Sequence, residues 1–188
     1  EWVGKYLNEK GHKIAPKAAL LLSDYIGNDL ETLSNALEKL VLAAEPGATI
    51  NEKDIETHVG ISREYNVFEL SNALGNKDML KLTKLVNYLG THTKENPLPI
   101  ITGFLYGYFS KLAAIAFGGK TDKETLKSYG IMEWVQKDYI KAAQNYGRKL
   151  IPALKLIEEF DLRFKGVNDT GTDESELLRE LAFRIVTL

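Results

Sequence analysis

The chain has 188 residues, no cysteine and a formal net charge of −2. These values exclude disulfides and thiolate metal sites. They also exclude the strongly basic footprint of a dedicated DNA-binding domain. The length suffices for one or two domains, and a chain of this size buries about 70% of its unfolded surface without staples. No apolar run approaches the ~18 residues of a membrane span, and no signal-peptide pattern opens the chain. Glu1 stands inside a helical pattern with no initiator Met, so an upstream part is expected to be missing.

Trp2, Val3, Tyr6 and Leu7 share one helical face within residues 1–10, and Gly11 stops that helix. Pro16 suits the first turn of the next helix, which runs to about Ile26. Gly27 ends it, since glycine enters the left-handed region cheaply. Asn28 is a good N-cap, with Glu31 three residues on. Leu30, Leu33, Leu37 and Leu40 then form one apolar stripe on a helix from Asp29 to about Ala43. Glu45-Pro46-Gly47 is a turn. Ile50 and Ile55 flank an Asn51 cap as a hydrophobic staple, which predicts a short helix over 52–58. This unit closes near Gly60, with a boundary expected within residues 61–65.

The second unit opens with Val67, Phe68, Leu70 and Leu74, and a helix follows over 78–90. After a polar loop, 91–96, Pro97 and Pro99 open a long helix that Gly118-Gly119 stops. Helices are predicted over 122–129, 133–146 and 148–165, then a loop over 167–172. Asp173 caps the last helix, with Glu176 at its third position. No alternating run persists, so the class is all-α with no strand expected.

Chemistry-bearing constellations are sparse. His12, His58 and His92 share no metal-ligand spacing and read as surface histidines. Gly118-Gly119-Lys120-Thr121 lacks the upstream glycine and the strand of a phosphate loop, and reads as a helix stop. No Gly-x-Ser-x-Gly occurs. Gly103 and Gly107 lie inside the long helix beside Tyr106, Tyr108 and Phe109. Each costs about 1 kcal/mol against alanine, which asks for a close helix crossing or an inter-subunit contact. Asp161 and Lys165 stand i,i+4 with the acid first, a favourable order. A pocket under Trp134, Tyr139 and Tyr146 is where a small ligand would be sought if the chain were a free-standing ligand-binding or regulatory domain.

The wording of several stretches resembles one family. Gly27-Asn28-Asp29-Leu30 followed by Leu33 and Leu37-Glu38-Lys39-Leu40 resembles the lid-domain helix of the delta subunit of the bacterial DNA polymerase III clamp loader, an AAA+ family. Thr49-Ile50-Asn51-Glu52-Lys53-Asp54-Ile55 resembles the entry to the last lid helix. Val67-Phe68-Glu69-Leu70-Ser71-Asn72-Ala73-Leu74 with Asp78 resembles the first helices of its collar domain. Asp161-Leu162-Arg163-Phe164-Lys165-Gly166 resembles the end of its penultimate helix. Each motif is degenerate, and their order across nearly the whole chain carries the resemblance.

The resemblance implies an AAA+ lid-like domain over 1–61 and a C-terminal helical collar domain over 62–188. It implies a non-catalytic assembly part of a polymerase III holoenzyme component, with no intrinsic activity, no cofactor and no metal. Leu30 stands where ATP-hydrolysing relatives carry a sensor arginine, and leucine cannot pair with a phosphate. The first arginine in the chain is Arg63. Lys39 lies about 13 Å further along the helix axis. Residues 1–61 carry 6 Lys+Arg against 10 Asp+Glu, which repels a triphosphate. The expected partners are other clamp-loader subunits, through a collar surface at Gly103, Tyr106, Gly107 and Tyr108. The sliding clamp is expected to be held only by the missing upstream domain, and primer-template DNA only indirectly. A cytoplasmic, bacterial setting without a membrane is implied.

Overall fold

Leucines three and four residues apart build the first unit around one amphipathic helix. The computed structural model describes residues 2–26, 30–60, 66–94, 96–167 and 171–188. The fold is all-α, and the chain divides into two units, Glu1–Asn66 and Val67–Leu188. Gly27, Asn28 and Asp29, read above as helix stop and cap, lie outside the described residues, as does the stretch 61–65.

The first unit comprises α1 (Trp2–Glu9), α2 (Pro16–Ile26), α3 (Leu30–Ala43) and α4 (Glu52–Val59). Leu33, Ala36, Leu37 and Leu40 of α3 are buried, and Val3, Leu7, Leu21, Leu22 and Ile55 are buried with them. Each such leucine contributes about 1.5–3 kcal/mol by leaving water. The start of α4 follows its sequence signature. The Lys53 N–H donates to Asn51 Oδ1 at 2.9 Å, and the Asn51 N–H donates to Asp54 Oδ2 at 2.8 Å. Ile50 and Ile55 staple the entry, and Gly60 closes the helix with φ 86°.

Three expectations about this unit are corrected. Two short strands exist: β1 (Lys13–Ile14) pairs in parallel with β2 (Thr49–Ile50), in register Lys13 to Thr49 and Ile14 to Ile50. Strands of two residues carry no alternation, so no pattern announced them. Leu30 does not extend the apolar stripe; it is 61% exposed at the first turn of α3. His12 is not a surface residue but 6% exposed, and its Nδ1 has no hydrogen-bond partner among the described residues. The turn at Gly11, φ 79°, folds it inward as the His12 N–H donates to the Leu7 carbonyl at 2.9 Å.

The second unit is organised around a long apolar helix. Its elements are α5 (Val67–Asn76), α6 (Met79–Thr91), α7 (Leu98–Gly118), α8 (Lys123–Ser128), α9 (Gln136–Tyr146), α10 (Leu150–Phe164) and α11 (Glu174–Val186). Single 3-10 turns at Glu133–Val135 and Gly147–Lys149 lead into α9 and α10, where continuous helices were expected. Helix α7 packs on α5, α9 and α10, while α6 packs on α5 and α11. Leu105, Phe109 and Leu112 of α7 are fully buried, as are Leu70, Leu82, Phe160 and Leu181 of its neighbours. Pro97 and Pro99 sit at the start of α7, and Gly119, φ 70°, ends it.

By length and composition α7 could cross a membrane, which corrects the statement that no run approaches that length. Its 21 residues carry one charge, Lys111. Eight of them, however, are buried within this unit, the signature of a core helix.

Candidate interaction surface

A helix apolar on every side leaves an apolar face outward once its core face is packed. On α7, Ile100, Gly103, Gly107, Ser110, Ala114 and Phe117 recur at helical spacing on that outward side. Ile100 is 42% exposed, Tyr106 53% and Phe117 55%. The only charged side chain, Lys111, turns aside and donates from Nζ to the Gly130 carbonyl at 3.3 Å. The face therefore carries no ionised group to hold it in water.

The four collar residues named from sequence divide here. Gly103, Tyr106 and Gly107 are exposed together, whereas Tyr108 is only 3% exposed and belongs to the core. Its ring packs edge-on against Tyr139 and Phe109, at centroid distances of 5.0 and 5.4 Å. Burial pushes the Tyr108 hydroxyl far above its ordinary pKa, so it stays neutral. Tyr108 is thus corrected from a surface contact to a structural residue.

A close helix crossing at Gly103 and Gly107 is likewise not what the structure contains: a Cβ at either would meet nothing within 4 Å. The close helix–helix approaches lie at two other glycines, Gly75 and Gly90, with no distinguishing sequence signal. A Cβ at Gly75 would fall 2.2 Å from the Tyr108 hydroxyl and 2.9 Å from Ala142 Cβ. One at Gly90 would fall 2.9 Å from Ser175 Cβ. These glycines admit α7 and α9 against α5, and the start of α11 against α6.

Behind the face, polar bonds fix the helices that flank α7. Tyr146 of α9 donates its hydroxyl to the Leu74 carbonyl at 2.8 Å, and Asn145 Nδ2 donates to the Gly75 carbonyl at 2.8 Å. The second bond satisfies the Gly75 carbonyl at the end of α5, beyond which no further turn of helix would reach it, and the first adds to the bond that the Leu74 carbonyl takes from the Lys77 N–H. Asp161 does more than its i,i+4 spacing suggested. Its Oδ2 pairs with Lys165 Nζ at 2.5 Å, and its Oδ1 accepts from Thr102 Oγ1 at 2.9 Å, tying α10 to α7. The Lys165 hydrogen bond, then that of Thr102, holds the Asp161 carboxyl below the usual range.

Of the three aromatics that the ligand-binding alternative named, Tyr146 is buried on Phe109, centroids 5.2 Å apart, Tyr139 packs edge-on against Tyr108, and Trp134 is exposed. A cavity of about 460 Å³ lies between α8 and the turn before α9, lined by Lys123, Lys127, Ile131, Met132 and Gln136 among others. Of the histidines, His58 is exposed, while His92 stacks on Tyr88 at 4.1 Å. Among the described residues no three His, Asp or Glu side chains gather as a metal site.

No family model matches this chain. No curated protein matches it either. Among solved structures the chain is similar to the Bacillus subtilis DNA clamp loader delta protein YqeN, with a TM-score of 0.60 and 19% sequence identity. The similarity covers 100% of this chain and 55% of the other, so this chain spans about half of that protein's length. At this identity the likeness is one of fold.

Proposed function

We propose that this chain is the lid and collar of a clamp-loader delta subunit and serves as a non-catalytic assembly module. The observation that carries this reading is the fold likeness to a clamp loader delta protein over the whole chain. In this reading residues 1–61 form the lid and 62–188 the collar. The outward face of α7, centred on Gly103, Tyr106 and Gly107, seats neighbouring loader subunits. Its exposed aromatic ring among small, uncharged residues has the character of a desolvated interface centre. The clamp-gripping surface belongs to the upstream domain, and the module works in the bacterial cytoplasm.

Leu30 bears on the absence of catalysis. It is exposed at the start of α3, and a hydrocarbon there offers no charge to a transferring phosphate. The reading is tested by presenting the 188-residue chain, immobilised, to the loader subunits and the sliding clamp of its own organism. Capture of loader subunits without the clamp is expected. Capture of the clamp alone would assign the roles to the wrong domains.

A further inference from the structure

Helix α9 presents cations that no carboxylate among the described residues pairs with. Lys137, Lys141 and Gln144, at i, i+4 and i+7, are all exposed and form one polar stripe. Arg148 and Lys149 follow, exposed, in the turn that ends the helix. Lys77 joins that end of α9, its Nζ 4.8 Å from the centroid of the Tyr146 ring. Among the described residues none of these five cations is paired with a carboxylate. Asp138 is the only acid within residues 134–149. A local excess of positive charge in a chain of net charge −2 gathers anions.

At the other end of this stripe stands Trp134, 45% exposed in the 3-10 turn before α9. Its neighbours Met132, Glu133 and Gln136 line the cavity described above, and Glu133 is engaged by Lys123. Gln136 is 7% exposed. Its Nε2 donates to the carbonyls of Ile131 at 3.3 Å and Lys123 at 3.5 Å, which fixes the orientation of the amide. Oε1 is left as an acceptor that no donor among the described residues satisfies.

We propose that this surface binds single-stranded nucleic acid. The phosphates run along Lys137 and Lys141 to the Lys77, Arg148 and Lys149 cluster. An unstacked base lies on the Trp134 indole, with Gln136 Oε1 accepting from its amino or imino group. Spaced cations beside an exposed aromatic face are the elements by which single strands are held. The 11 residues of α9 span about 16 Å, the length of several nucleotides. An acidic peptide would use the cations but leave the indole face and the Gln136 acceptor without a role. The inference stands on these residues alone and does not depend on the clamp-loader reading.

The test is a titration of the 188-residue chain with a fluorescein-labelled oligothymidine at low ionic strength. Tryptophan emission is followed in parallel in a Trp2→Phe background, so that Trp134 is the reporter. Saturable binding with quenching of Trp134 is expected. Lys137→Glu with Lys141→Glu should weaken binding at least about tenfold, and Lys137→Gln with Lys141→Gln should lower the slope of log K against log salt by roughly 1.4. Trp134→Ala should weaken binding and leave that slope unchanged. All three positions are exposed, so a circular-dichroism melt should show every variant folded. The proposal is overturned by absence of saturable binding, by binding indifferent to the lysine variants, or by an equal-length duplex binding as tightly without quenching. Equal competition by polyglutamate without quenching would overturn it too, in favour of an acidic protein surface.

Discussion

A methyl group at Gly75 would meet the Tyr108 hydroxyl at 2.2 Å, and that ring is wedged in the core with nowhere to retreat. Gly75→Ala should therefore destabilise the second unit by about 1–3 kcal/mol. Gly103→Ala and Gly107→Ala should do the reverse, because a Cβ at either meets nothing and the unfolded chain loses freedom. A gain of about 0.4–1 kcal/mol is expected for each in urea unfolding. Equal losses at all three positions would show that the outward face of α7 is packed. At Asp161 the expectation concerns acid. A carboxyl held below its usual pKa by Lys165 and Thr102 stabilises the fold above the unfolded value of about 3.9. That contribution is lost as pH falls through the native pKa. Asp161→Asn should thus lower stability at neutral pH and flatten the acid limb of the stability profile. An unchanged acid limb would mean that the pair is released in solution.

Helix ends were the most legible elements, because their signals are local. The Asn51 cap and Asp54 reach each other across one turn, and the Asp173 carboxylate accepts from the Ser175 N–H at 2.8 Å. Gly60 and Gly119 end their helices at positive φ, as glycine allows. What could not be read depends on partners distant in sequence. Helix α7 is apolar all round, so no stripe told which tyrosine faces inward, and Tyr108 was misplaced with Tyr106. Gly75 and Gly90 look like ordinary helical glycines until Tyr108 and Ser175 arrive against them. The tie between α9 and α5 is of the same kind, spanning 72 residues from Tyr146 to Leu74. Tyr146→Phe should cost about 0.5–1.5 kcal/mol, since the Leu74 carbonyl retains its bond from the Lys77 N–H. A thermal melt of the variant reads this directly, and an unshifted midpoint would show the hydroxyl hydrated in solution.

Over the whole molecule, two helical units gather no three His, Asp or Glu side chains as a metal site among their described residues, and one of them turns an uncharged apolar face outward. The order of degenerate motifs along the chain suggested the delta-subunit fold, and the structural likeness to YqeN supports it at the level of fold. The buried His12, the parallel pair of short strands and the cavity beside α9 were not legible in the same way. Each depends on how the chain folds back on itself, which no local pattern records. The assembly role proposed above rests on the α7 face, and in that reading a large side chain there should block a partner without disturbing the fold. Gly107→Leu in the full-length subunit is the decisive variant, because nothing within 4 Å opposes a Cβ at that position. The measurement is reconstitution with the other loader subunits, followed by light scattering on size exclusion, with clamp binding titrated in parallel. We expect the folded variant to bind the clamp normally and to fail to enter the loader complex; normal assembly of a correctly folded Gly107→Leu subunit would contradict the role assigned to this face.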